Sequence, residues 1–146
     1  MAHRVEFRPL FADADPMNVV YYGRYLRFFE LGRTELLRAG GRSYAELEAA
    51  GLHLPATEVY ARYRRPARYD ELLVVETAVG WVRRASLRFD YRILRGVSGG
   101  GEELLVEGYT VHGCVDREGK VVALPVWVVN IAESHVRSGS LAGGGR

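Results

Sequence analysis

The sequence predicts an α+β fold, a curved antiparallel sheet packed against one long helix, and three observations predict it. A single stretch, residues 24–38, repeats its apolar residues with helical period. Beyond residue 55 the pattern switches to period two and stays there. The period-two segments are consecutive and are joined by connections rich in turn residues, which gives a helix lying on one face of an antiparallel sheet.

Taken in order, "HRVEFRPLF" alternates Val5 and Phe7 with charged neighbours and reads as a first strand. The helix from Arg24 to Arg38 buries Tyr25, Phe28, Phe29, Gly32 and Leu36 on one stripe. Gly32 on that stripe costs about 1 kcal/mol in propensity against alanine, which a close approach of the helix to the sheet would explain. Gly40-Gly41 ends the helix, and "SYAELEAAG" begins a second, short one with Ser43 and Glu46 as a capping box. Five strands are expected after it, in "TEVYARYRR", "LLVVETAVGWV", "SLRFDYRIL", "LLVEGYTVHGCV" and "VVALPVWV". Pro66 points to a bulge or an edge after the first of these, and Leu87, Phe89, Tyr91 and Ile93 form the inward set of the third. One domain spans residues 1–132, and the Gly- and Ser-rich segment 133–146 is expected to be a flexible C-terminal tail.

Composition narrows the chemistry. With 146 residues, 48% hydrophobic and 26% charged, the chain has the make-up of a soluble globular domain, and no apolar run approaches the roughly 20 residues that span a bilayer. No secretion-type segment opens it, so a cytoplasmic address with no membrane span is expected. One cysteine and four scattered histidines carry no metal-ligand spacing, and no metal is expected. Lys120 is the only lysine among 20 basic residues, and arginines crowd the middle of the chain. Arginine is the better fork for phosphate; a solvated, ion-paired strand face would use it equally well. A net charge of only +2 argues against a nucleic-acid partner.

"FADADPMNVVYYGRYLRFFE" concentrates what chemistry the sequence shows. Asp15-Pro16 is a helix-entry pair, with aspartate at an N-cap and proline at the first helical position. Asn18 tolerates left-handed backbone, so a separate loop over Asp15 to Val19 followed by the helix reads equally well. Asp13 is a second carboxylate, which flanks the site or shapes the loop.

The stretch "DADPMNVVYYGRYLRFFELGRTELLR" resembles the opening motif of the hotdog-fold acyl-CoA thioesterases of the 4-hydroxybenzoyl-CoA thioesterase and YbgC-like group, and the likeness extends more loosely from "ARYDELLVVET" to "DREGKVVALP". The resemblance implies hydrolysis of an acyl- or aryl-CoA thioester, with Asp15 as catalytic carboxylate and the backbone N–H of Tyr22 as oxyanion donor. It departs from the pattern at Asn18, where many members have glycine, and at Tyr22, where the YbgC-like branch has histidine. It implies a homodimer with a continuous sheet, often doubled to a homotetramer, with coenzyme A entering only as part of the substrate and no other cofactor. The family places its phosphate and pantetheine contacts at the subunit interface, which makes Arg65, Arg68, Arg83, Arg84, Ser86 and Arg88 the substrate-binding candidates. An acyl-acyl-carrier-protein substrate and a non-catalytic acyl-CoA sensor are the alternatives. His112 is expected to be a structural hydrogen-bonder within a strand.

Overall fold

A computed structural model describes residues 2–137. Strand β1 (His3–Phe7) leads through a short 3-10 turn and a loop to the long helix α1 (Tyr25–Ala39), then α2 (Tyr44–Ala49). Strands β2 (Ala56–Tyr63), β3 (Leu73–Val82), β4 (Ser86–Gly96) and β5 (Glu102–Gly113) follow, and α3 (Val126–Glu133) comes last. All pairings are antiparallel in the order β1-β3-β4-β5-β2, which leaves β1 and β2 as the edges.

The helix and the sheet meet through the residues their periods select. Phe28, Phe29 and Leu36 of α1 bury against Val75 and Val79 of β3 and against Leu87, Phe89, Tyr91 and Ile93 of β4. Phe29 stacks on Tyr91 with ring centroids 4.3 Å apart. Gly32 sits at the closest approach, where a Cβ would lie 2.2 Å from Thr77 Oγ1 and 2.9 Å from Val75 Cγ2. A side chain is therefore excluded, and the expected close approach is the reason for the glycine. Gly108 of β5 is just as confined, since a Cβ there would lie 2.2 Å from the Tyr60 carbonyl and 3.0 Å from the Phe29 ring.

The capping box forms as read, with the Glu46 N–H donating to Ser43 Oγ and the Ser43 N–H donating to Glu46 Oε2. Strand β2 ends at Tyr63, short of Pro66, and is an edge strand.

One expected element is corrected. "VVALPVWV" does not form a sixth strand: Val121 makes an isolated bridge to Val115, and Pro125 is the N-cap of α3. Proline lacks the N–H a ladder needs and holds φ at −59°, which suits entry into a helix. The valines that read as a strand continue instead as a helix burying Val128, Ile131 and Ala132. Ile131 packs on Gly40, whose missing side chain leaves room for it, and Arg42 lies over the Trp127 ring. Of the segment expected as a tail, His135 and Arg137 exchange backbone hydrogen bonds with Val79 of β3, both 2.9 Å. Residues 138–146 lie outside the described residues.

Candidate active site

The stretch between β1 and α1 is built by its own polar residues. Asp13, only 2% exposed, receives the Leu10 N–H on Oδ2 at 2.7 Å and Arg27 Nη2 on both carboxylate oxygens at 2.7 Å, with Arg24 nearby at 3.9 Å. Both of its oxygens are committed, so Asp13 shapes the loop and ties it to α1. Its backbone carbonyl accepts the Tyr21 N–H at 2.8 Å, which sets the start of the next turn.

Asp15 opens a closed loop and does not cap α1, which begins ten residues later at Tyr25. The Asp15 N–H donates to the Val19 carbonyl and the Asn18 N–H donates back to the Asp15 carbonyl, both at 2.9 Å. Asn18 adopts φ +65°, the left-handed conformation that its residue type permits. Oδ1 of Asp15 accepts from the Met17 N–H at 2.8 Å and the Val19 N–H at 3.5 Å. Among the described residues Oδ2 has no partner. The carboxylate is thus oriented through one oxygen while the other stays available to bond water or substrate.

Tyr22 starts the short 3-10 turn Tyr22–Arg24 that leads into α1. The Arg24 N–H donates to the Tyr21 carbonyl at 2.8 Å, closing the turn. The N–H groups of Tyr22 and Gly23 come before that first bond and, among the described residues, have no acceptor. Free N–H donors at a helix start are suited to a developing oxyanion. The turn borders a cleft of about 250 Å³ lined by Val20, Tyr22, Tyr25, Tyr63, Arg64, Arg65 and Pro66.

Three aromatic rings form the wall of this cleft. Tyr25 and Tyr63 lie 5.3 Å apart, Tyr22 and Tyr63 6.4 Å. The Tyr25 hydroxyl accepts the Ala67 N–H at 3.1 Å, and the Tyr63 hydroxyl donates to the Tyr22 carbonyl at 3.0 Å. Burial pushes the Tyr63 phenol up from its ordinary range, so it is a neutral donor near pH 7. Tyr25, Phe28 and Phe29 are core residues, with only Tyr25 also reaching the cleft.

The arginine candidates divide by position. Arg65 borders the cleft and pairs with Glu103 at 3.0 Å, while Arg68 follows on the exposed β2–β3 connection. Arg83 and Arg84 are exposed and Ser86 is half-buried at the β3–β4 hairpin, with Arg83 over the Trp81 ring at 4.1 Å. The register puts that hairpin beside His112 and the Ala56 end of β2, opposite the Tyr63 end that carries the cleft. Arg88 points to the outer sheet face, where it bonds Asp90 at 2.7 Å and lies over Tyr109 at 3.9 Å. One chain therefore puts Tyr22 and Arg65 on one cleft, holds Asp15 in the loop that leads to the cleft residue Val20, and leaves Arg83, Arg84, Ser86 and Arg88 elsewhere.

Two cavities of about 280 and 260 Å³ also lie on the outer face around Asp90, Arg92 and Arg137. They are slightly larger than the cleft, but ion pairs build them, and Tyr22 lines neither. Nothing in the sequence pattern singles out Tyr63, and Arg64 is one among many arginines of the same segment. Alternation alone groups Tyr63 with Val59 and Ala61 on one face of β2, and only the position of that strand's end beside the helix start reveals its hydroxyl contact.

His112 is buried and structural. The Leu54 carbonyl, which can only accept, fixes the proton on Nδ1 at 2.8 Å, leaving Nε2 to accept from the Thr110 hydroxyl at 2.8 Å. The Tyr91 hydroxyl then donates to Thr110 at 2.6 Å, and Arg33 donates to Tyr91 at 3.4 Å. Burial holds the imidazole neutral and lowers its pKa to about 4. Among the described residues no group of His, Cys, Asp and Glu could hold a metal ion, and no helix is long and apolar enough to cross a membrane.

The family model described as the thioesterase-like superfamily matches residues 9–131. The acyl-CoA thioesterase YbgC of Haemophilus influenzae (strain ATCC 51907 / DSM 11121 / KW20 / Rd) is 36% identical over 121 residues, covering 81% of this chain and 85% of that one. The acyl-CoA thioester hydrolase YbgC of Escherichia coli O157:H7 is 33% identical over 109 residues, 75% of this chain and 78% of its own. Among solved structures, the DHNA-CoA thioesterase of Staphylococcus aureus superposes with a TM-score of 0.81 at 28% identity, covering 91% of this chain and 87% of that one. A 4-hydroxybenzoyl-CoA thioesterase in complex with 4-hydroxybenzoyl-CoA shares the fold, with TM-score 0.81 at 20% identity over 90% of this chain and 98% of its own. The chain belongs to the thioesterase-like superfamily and has the hotdog fold.

Proposed function

We infer that the protein is an acyl-CoA thioesterase that hydrolyses a small acyl- or aryl-CoA to the free acid and coenzyme A. The observation that carries the site assignment is the pairing of a half-committed carboxylate with two unbonded N–H groups, on one tied stretch of chain. Asp15 acts as general base: Oδ2 takes a proton from water as the water oxygen adds to the thioester carbonyl carbon. The carbonyl oxygen becomes an oxyanion held by the N–H of Tyr22, at the positive end of the turn leading into α1. Collapse of the tetrahedral intermediate breaks the C–S bond, and the proton on Asp15 passes to the departing thiolate. The aromatic wall of the cleft, Tyr22, Tyr25 and Tyr63, receives the acyl group beside the reacting carbon.

The homodimer supplies the rest of the substrate site. Strand β2 is an edge strand with Val59, Tyr60 and Tyr63 exposed, and its outer side is open to a second copy. Antiparallel pairing of two β2 strands about a twofold axis brings the Ala56 end of one against the Tyr63 end of the other. That arrangement carries the partner's hairpin toward the cleft, supplying Arg83, Arg84 and Ser86 to the nucleotide and pantetheine of a substrate whose thioester lies beside Asp15. Arg65 and Arg68 reach it from the cleft's own side. Arg88, committed to Asp90 and Tyr109, is the weakest of the six candidates.

Thiol release from a panel of short, medium, long-chain and aromatic acyl-CoAs tests this reading, with Asp15→Asn run beside the unsubstituted protein. Turnover falling by on the order of 10²-fold or more in a folded variant is expected for the loss of a general base. Unchanged turnover refutes the role of Asp15. Release from an acyl carrier protein thioester alone moves the substrate to that carrier, and stoichiometric acyl-CoA binding without thiol release makes the protein a sensor.

A further inference from the structure

We propose that Tyr63 is a positioning residue for thioester hydrolysis: its hydroxyl, by donating to the Tyr22 carbonyl, fixes the Tyr22–Gly23 peptide so that the Gly23 N–H acts beside the Tyr22 N–H as a second oxyanion donor. The proposal rests on the assignment of this turn to the thioester oxygen.

The geometry of two successive peptide planes leads to it. No described peptide bond is cis, so each carbonyl and the N–H across its peptide bond point in opposite directions. The plane holding the Tyr22 N–H is set by the Tyr21 carbonyl, which accepts the Arg24 N–H at 2.8 Å. The next plane holds the Gly23 N–H and the Tyr22 carbonyl, and the Tyr63 hydroxyl donates to that carbonyl at 3.0 Å. One anchor is thus internal to the turn, and the other arrives from the sheet.

The sheet anchor is rigid. Tyr63 pairs with Val106 of β5, and the N–H groups of Arg64 and Arg65 both donate to the Leu105 carbonyl, at 2.8 and 3.1 Å. The hydroxyl therefore sits on backbone held to a central strand, and a donor held this way loses little freedom when charge develops on the substrate. Gly23 brings no side chain of its own to its N–H, and a Cβ there would lie 3.0 Å from the Tyr21 ring. Accepting a hydrogen bond at its oxygen also polarises the Tyr22–Gly23 amide and makes its N–H a better donor.

Tyr63→Phe tests the proposal because it keeps the ring against Tyr22 and Tyr25 and removes only the hydroxyl. The residue is 46% exposed, so the change does not threaten the fold. A fall in kcat on the order of 10-fold, with KM within about 2-fold, is expected for loosening a donor that acts in the transition state. The second measurement is the infrared carbonyl stretch of an acyl-CoA bound to the slow Asp15→Asn protein, with and without Tyr63→Phe. Hydrogen bonding to the carbonyl lowers that frequency, and Tyr63→Phe is expected to remove part of the lowering. A lowered stretch that Tyr63→Phe leaves in place, or a loss confined to KM, overturns the role of Tyr63 alone. A stretch not lowered in the Asp15→Asn protein overturns the assignment of the turn as oxyanion site, and the role of Tyr63 with it.

Discussion

Acidification from pH 7 to pH 5 should destabilise the protein through one residue, His112. Its imidazole is neutral in the fold, with a pKa held at about 4 by burial beside the Leu54 carbonyl and the Phe89 ring. In the unfolded chain it returns to about 6.5. The unfolded state therefore binds the proton first, so the contribution is intact above pH 6.5, declines as pH falls from there, and is exhausted near pH 4. Each pH unit inside that window is worth about 1.4 kcal/mol, which makes about 2 kcal/mol by pH 5 and about 3 kcal/mol over the whole interval. The chain of bonds from Arg33 through Tyr91 and Thr110 gives the direction a structural reason: Nε2 is an acceptor, and a proton there would face the Thr110 donor. Urea unfolding at pH 7, 6 and 5 and one fixed protein concentration, for the unsubstituted protein and for His112→Gln, isolates the effect from the carboxylates both share. The unsubstituted protein should lose stability more steeply by about 1.4 kcal/mol per unit below pH 6.5. Equal slopes, or an imidazole that titrates near pH 6.5 by NMR in the folded protein, would refute the reasoning.

Two further substitutions probe the scaffold of the site. Gly32→Ala places a methyl into Thr77 and Val75 and should cost about 1–3 kcal/mol by overpacking, offset by about 1 kcal/mol of helix propensity, for a net lowering of the thermal midpoint. Asp13→Asn keeps the shape but removes the charge facing Arg27 and Arg24; it should destabilise the protein by about 1–3 kcal/mol in urea. The same variant should lower kcat by loosening the loop that holds Asp15, and wild-type kcat at full stability cost would separate the two roles of that loop.

Where the sequence was legible, one local rule acted alone. The stripe Tyr25, Phe28, Phe29, Gly32, Leu36 and the alternation Leu87 to Ile93 are burial patterns, and α1 and β4 carry them as read. "VVALPVWV" reads as a strand because four valines suit a strand as well as a buried helix, and Pro125 settles the matter by its missing N–H and fixed φ. Asp15 had two readings, cap or loop, since either uses the same residue types; only the bond from its N–H to Val19 distinguishes them. Of the two readings of Asp13, flanking the site or shaping the loop, its bonds show the second: both of its oxygens are taken up by the loop and α1, beside an Asp15 with one oxygen left over. The arginines were beyond reach for a different reason. Their neighbours depend on strand register and packing: of the candidates, Arg65 meets Glu103 and Arg88 meets Asp90, and other arginines of the crowded middle pair across the sheet in the same way, as Arg64 with Glu107, Arg92 with Glu76 and Arg95 with Glu103.

The segment from Asp13 to Arg24 is closed on itself by the Asp15–Val19 loop and moored at three points: to α1 through Arg27, to the β2–β3 connection through Ala67, and to β2 through Tyr63. Such a segment behaves as a cassette whose internal geometry is independent of what lines the cleft beyond Tyr22. If the proposed function holds, the exposed side chains of Arg64, Arg65 and Arg68 and the hairpin at 83 to 86 can be exchanged to fit a different acyl chain or carrier, while the backbone at 64, 65 and 67 keeps the bonds that aim the segment. Selection on substrate range and selection on reaction rate would act on separate stretches of the same short chain.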